Sequence, residues 1–255
     1  MKTIIQEKLT EIEREEGVRI VYACESGSRA WGFPSADSDY DVRFIYIRPQ
    51  ADYLRLDEPR DVIERPIVGD LDINGWDIRK TLKLFYKSNP TLMEWLLSPI
   101  VYREETSIAG KIRSLAHQFY QPGAAHAHYH SMARSTFKQE IRGESVSLKK
   151  YFYVLRPIFA MQWIEQGLGV VPTEFQAMLA TLPLNQSILD AIADLLEKKK
   201  AAGELGRAPR IEPISQYIEK ELQSREANPP TLPKVANDIA DLNRVLIESL
   251  HEAWA

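Results

Sequence analysis

The chain has 255 residues, 44% hydrophobic and 27% charged, enough for one large or two modest globular domains and unlike a disordered, collagen-like or coiled-coil chain. Its formal net charge of −4 argues against a bulk polyanion binder, though not against a local basic groove. With no run of eighteen apolar residues, a start that turns charged at Lys2 and Glu7, and a single cysteine, Cys24, no membrane helix, signal core, internal disulfide or Cys-based zinc site is expected, and the default address is cytoplasmic.

Residues 3–16 are predicted as a helix, because Ile4, Ile5, Leu9 and Ile12 recur at helical spacing, and Gly17 is a natural stop. Residues 18–24 alternate, with Val18, Ile20, Tyr22 and Cys24 on one face, and predict a strand. Residues 25–38, rich in Ser, Gly, Ala and Asp, predict a turn with at most a short helix. A second strand is expected over 39–47, with Val42, Phe44 and Tyr46 toward the core and Asp39, Asp41 and Arg43 on the opposite face.

Strands are expected at 61–66 and 68–76, paired as a hairpin around Gly69-Asp70. Asp77 can cap the next helix, on which Ile78, Leu82 and Phe85 stack, and Asn89-Pro90 starts another that ends near Ser98-Pro99. After about residue 104 helices dominate, at 104–118, 123–142, 147–166, 173–182, 186–202, 210–225 and 232–252. The expected class is therefore α+β: an N-terminal unit over 1–103, a mixed sheet flanked by helices, and an all-helical unit over 104–255.

The stretch from Glu25 to Arg43 carries the chemistry. Gly27-Ser28 stands where a strand ends and a short helix can start, so backbone N–H groups and the Ser28 hydroxyl can approach an anion. Ten residues separate Ser28 from Asp39. Asp39 and Asp41, two apart on a strand, point the same way and repel unless solvent or a divalent cation intervenes. Magnesium with a nucleoside triphosphate is the usual such partner.

This Gly-Ser, ten-residue, Asp-X-Asp pattern resembles the signature of the DNA polymerase β-like nucleotidyltransferase superfamily. The segments Asp72 to Lys80, Asn89 to Leu96 and Lys149 to Pro157 resemble its RNA-repair-pathway branch, over roughly residues 20–175. The resemblance implies a polymerase β-like catalytic domain followed by a helical domain that closes the nucleotide cleft. It implies a third carboxylate on a neighbouring strand, with Asp72 preferred over Asp77 and Asp70 also a candidate. It further implies two magnesium ions on Asp39, Asp41 and Asp72, and an NTP donor, expected to be ATP, gripped by Gly27 and Ser28. The nucleoside monophosphate would pass to a hydroxyl of unknown origin: an RNA end, a protein or a small molecule. A non-catalytic nucleotide-binding or antitoxin-like protein acting on a partner is the alternative.

Arg29 and Ser38 are further candidates for phosphate contact. Lys149, Tyr153 and Arg156 share a helix face within a locally basic stretch, and suggest cations for phosphates and a ring for the base. Lys80, Lys83 and Lys87 form a stripe more in keeping with a solvated face. His126 and His130 share a face with no adjacent Cys or acid in sequence, so packing rather than a zinc site is expected. His128 and Tyr129 are candidates to line the cleft, and Trp31 and Trp76 are expected in the core or the cleft wall.

Overall fold

A computed structural model describes residues 1–202 and 206–255. The chain divides into two compact units. The first comprises residues 1–30, 39–120 and 235–255, and the second residues 31–38 and 121–234. Residues 104–120 and the C-terminal helix, expected in the helical unit, thus lie in the first.

The first unit is built on a five-stranded mixed sheet. Its strands are β1 (Arg19–Glu25), β2 (Tyr40–Ile47), β3 (Val62–Glu64), β4 (Leu71–Asp77) and β5 (Val101–Arg103), in the order β3-β4-β2-β1-β5. β2 pairs parallel with β4, and the other pairs are antiparallel. The hairpin expected around Gly69-Asp70 is present as β3 against β4, with Ile63 opposite Gly75. β5 was not expected: three residues are too short to show alternation, and the pairing that defines them is with β1, far back in the chain.

Helix α1 (Lys2–Glu16) lays Ile5, Leu9 and Ile12 on the sheet against Val18, Ile20, Ala23, Val42, Phe44 and Ile73. It ends where Gly17 turns left-handed at φ 61°. α2 (Gly27–Ala30) is a single turn between β1 and β2. α3 (Ile78–Tyr86) follows β4 directly, capped by Asp77, whose carboxylate accepts the Arg79 N–H. α4 (Pro90–Leu96) starts on Asn89 with proline at its first position. α5 (Ile108–Ser114) and α6 (Ala116–Phe119) replace the single helix expected at 104–118.

Gly75 carries a packing constraint. A Cβ built on it would lie 2.3 Å from the ring of Phe44, its cross-strand partner. Gly75→Ala is therefore expected to destabilise the protein by about 2 kcal/mol or more, because ring and strand must both shift in a close-packed core. Chemical denaturation measures this as a lower midpoint at unchanged slope.

The second unit holds α7 (Pro122–Thr136), continued by a π-helical turn at Phe137–Ile141, then α8 (Leu148–Glu165), α9 (Phe175–Thr181), α10 (Gln186–Ala202) and α11 (Glu212–Ala227). Two short strands, β6 (Ser145–Ser147) and β7 (Arg207–Pro209), pair within it. Residues 31–38 are part of its core: Phe33 stacks on Phe152 at 4.7 Å, and the Phe175 N–H donates to Trp31 O at 2.9 Å.

The last helix, α12 (Ile239–Ala253), starts later than the sequence pattern predicts and returns to the first unit. Its Glu252 accepts from the Ser107 N–H and hydroxyl and from Lys111, and Trp254 donates to Arg48 O at 3.0 Å. Among the described residues no helix is long and apolar enough to cross a membrane.

Candidate active site

The alternation of β2 buries Val42 and Phe44 and leaves Asp41 and Arg43 half-exposed on the other face. The parallel register then sets Asp41 directly beside Asp72 of β4. Two carboxylates on adjacent strands would repel, and Arg43 answers this. Its Nη2 donates to Asp41 Oδ1 at 3.0 Å and to Asp72 Oδ2 at 2.7 Å. Its Nη1 holds the Val42 and Asp72 carbonyls at 3.0 and 3.1 Å. The planar guanidinium fork suits this double donation better than an ammonium would.

Gly27 faces the same carboxylate. It is left-handed at φ 60°, and a Cβ there would sit 2.1 Å from Asp41 Oδ2. The bare glycine is what admits the Asp41 side chain. Backbone pairing continues the β1–β2 ladder past this point, since the Ser26 N–H donates to Asp41 O at 2.8 Å. Ser28 follows in the first turn of α2. Arg29 does not extend freely: its Nε donates to Asp39 O at 3.1 Å, and its guanidinium lies 3.8 Å over the Tyr40 ring. It fastens α2 to the entry of β2. Asp39 precedes β2 and is exposed.

The expected three acids are thus distributed unequally. Asp41 and Asp72 converge through Arg43, whereas Asp39 lies just outside the ladder. Among the described residues no three His, Cys, Asp or Glu side chains form a metal-holding group. Two carboxylates still suit magnesium, which commonly takes one or two acids and completes its shell with water and phosphate oxygens. Asp41 and Asp72, set side by side by the strand register, are the donors that would hold such an ion. Asp77, weighed as an alternative third acid, is 5% exposed at the far end of β4. It caps α3 and accepts from Tyr53 Oη at 2.6 Å. Asp70, beside the Val68–Leu71 bridge, is exposed, and its carbonyl accepts the Tyr40 N–H.

Glu25, which drew no role from sequence, is fully buried at the end of β1. Its Oε1 accepts the Asp41 N–H at 2.7 Å, and Tyr102 Oη donates to Oε2. Burial raises its pKa above the ordinary carboxylate value of 4.5, against the lowering effect of these two donors. The folded state therefore binds a proton more readily than the unfolded chain, so this group's contribution to stability is full below about pH 4.5 and is lost as pH rises through the folded pKa. Glu25→Gln should flatten the stability-versus-pH curve above pH 4.5 and match the parent below it. Urea melts at several pH values read this out.

The remaining candidates lie in the second unit. Lys149 is half-buried at the start of α8. Tyr153 meets the Trp31 ring edge-on at 5.2 Å, with Lys150 Nζ 5.0 Å from its own centroid. Arg156 is 2% exposed; its Nη2 donates to Thr173 O at 3.1 Å and its guanidinium covers Trp31 at 4.9 Å. Ser38 Oγ accepts the Ser35 N–H at 2.8 Å. His126 pairs with Glu165 at 2.7 Å, an acid brought in by α8, and Arg225 takes both oxygens of that carboxylate. His128 is exposed and Tyr129 buried. Back in the first unit, Lys80 pairs with Asp61, and Trp76 stacks on Trp95 at 3.8 Å.

The mixed sheet flanked by helices and the family-model match together make this a polymerase β-like nucleotidyltransferase fold. Within the class, the chain belongs to the RNA repair pathway DNA polymerase beta family (RlaP), whose family model matches residues 1–248. An uncharacterized protein, YcgL, of Bacillus subtilis (strain 168) is 46% identical over 255 residues, covering 100% of this chain and 98% of that protein. A crystal structure of a nucleotidyltransferase-like protein from Exiguobacterium sibiricum 255-15 aligns with 98% of this chain and 81% of its own, at 14% identity and a TM-score of 0.31.

Proposed function

We propose that the protein is a magnesium-dependent nucleotidyltransferase that moves a nucleoside monophosphate from an NTP, with ATP the favoured donor, to a hydroxyl acceptor. The observation that carries this reading is the pairing of Asp41 with Asp72 beside a glycine whose bare Cα admits the Asp41 carboxylate. Family membership supports the reaction class.

Asp41 and Asp72 would hold the metal, with Asp39 joining them from the entry of β2. When bound, the ion supplies charge neutralisation at the transferring phosphate. The chain's own residues do the positioning. Gly27 and Ser28 offer N–H and hydroxyl donors to the phosphates, and Arg29 holds the entry of β2 through Asp39 O. Arg43 keeps the two carboxylates from springing apart. Asp72 is the carboxylate best suited to accept the proton of the attacking hydroxyl, the α-phosphorus being the site of attack and pyrophosphate the leaving group.

Transfer of label from α-labelled ATP is the test. Activity should need a divalent cation, vanish in Asp41→Asn and survive in Lys80→Gln, whose ammonium is occupied by Asp61. Transfer undiminished in Asp41→Asn would overturn the reading. For the acceptor, an RNA end should bind less tightly as salt rises, whereas a protein or small molecule should respond weakly.

A further inference from the structure

Away from the aspartate pair, the second unit holds a buried cation with no ion-pair partner among the described residues. Lys199, on α10, is 4% exposed. Its Nζ donates to Ser35 Oγ at 3.3 Å, long for a charged donor, and stands 6.0 Å from the Phe33 ring centroid. An ammonium has three protons to place, and among the described residues Lys199 forms no ion pair. Lys149, half-buried, likewise has no carboxylate partner among them. Burial and the nearby Lys149 charge hold the Lys199 pKa below the ordinary lysine value, and Asp37 offsets them only in part. Ser35 Oγ in turn lies 3.0 Å from Ser38 Oγ.

A buried, unpaired charge is costly, and a neighbouring like charge adds to the cost. A buried ammonium group beside two hydroxyls is instead complementary to an anion with several oxygen acceptors. We propose that Lys199 and the Ser35 and Ser38 hydroxyls form a subsite for a phosphate group. The phosphate comes either from the polyphosphate tail of a nucleoside triphosphate or from the terminal phosphate of a nucleic-acid acceptor. The choice of these two sources rests on the nucleotidyl-transfer reading; the anion preference does not.

The full-length protein is titrated calorimetrically, in metal-free buffer, with inorganic tripolyphosphate. A short RNA with a 5′-phosphate and the same RNA without it are titrated separately. Lys199→Met should weaken binding of at least one phosphate probe tenfold or more while leaving the melting temperature unchanged or higher, since an apolar chain replaces a buried charge. Loss confined to tripolyphosphate assigns the nucleotide tail, and loss confined to the phosphorylated RNA assigns the acceptor. Wild-type affinity of the variant for both probes, or no binding of either by the parent, overturns the proposal. Should Lys199→Met fail to fold, Ser35→Ala serves instead: threefold weakening or more is expected, and unchanged affinity for both probes overturns the subsite. Label transfer by the parent protein is measured beside these titrations, so failure of the transferase reading (no transfer) and failure of the subsite (no Lys199-dependent phosphate binding) give different results.

Discussion

Asp41→Asn should reduce nucleotidyl transfer by about a thousandfold or more while leaving the protein folded. Asparagine keeps an oxygen where Arg43 Nη2 donates to Asp41 Oδ1, so the link to Asp72 persists through the guanidinium. The pair is partly solvent-exposed, with 29% of the Asp41 side chain accessible. A change there costs stability on the order of 1 kcal/mol or less. What disappears is the negative charge that would neutralise a cation and hold it at the reacting phosphate, a kind of stabilisation whose single groups are typically worth about a hundred to a thousandfold and more. Turnover with α-labelled ATP, set beside a thermal melt of the same preparation, separates the two effects. Intact melting with lost turnover is the expected pair, and intact melting with intact turnover would remove Asp41 from the chemistry.

Gly27→Ala should cost about a hundredfold in turnover through the same carboxylate. Two costs combine. A left-handed alanine is strained by roughly 1–2 kcal/mol. The new methyl would also lie 2.1 Å from Asp41 Oδ2, so either the side chain rotates away or the start of α2 retreats. A displacement of about 1 Å at a reacting group is worth about two orders of magnitude. Gly17 supplies the control: it is left-handed at φ 61° with nothing within 4 Å, so Gly17→Ala should carry the strain and keep the activity. Because Gly27 acts through Asp41, Gly27→Ala should add little to Asp41→Asn in the double variant. Additive losses would assign Gly27 a role of its own.

These expectations draw on features that the sequence reveals unevenly. The stripe of Ile5, Leu9 and Ile12, and the alternation of Val42 and Phe44 with Asp41 and Arg43, are local patterns, and they fold as their periods require. Gly27-Ser28 and the aspartates are recognisable because their spacing is fixed within one stretch of chain. Arg43 is visible on the acid-bearing face, but its bridging role depends on Asp72 lying opposite Asp41, and that register joins residues 31 apart. Glu25 reads as one more polar residue after a strand. Only β5 delivering Tyr102, and β2 delivering the Asp41 N–H, make it a buried acceptor. Arg156, placed by helical spacing on a face with Lys149, packs against Trp31 and the Thr173 carbonyl instead of reaching solvent. Periodicity tells which residues share a side of a helix, not what another segment brings to that side.

The interleaving of the two units has a consequence for biosynthesis. The chain passes from one to the other at 30/31, 38/39, 120/121 and 234/235, so neither is a continuous stretch that a ribosome can finish and release. The sheet that bears the aspartates receives its last helix only when residues 239–253 emerge. A nascent chain stalled before that point carries the whole Gly-Ser and aspartate signature without α12 to complete the first unit, whereas every residue of the second unit has by then been made, so the unit that begins first is the one finished last.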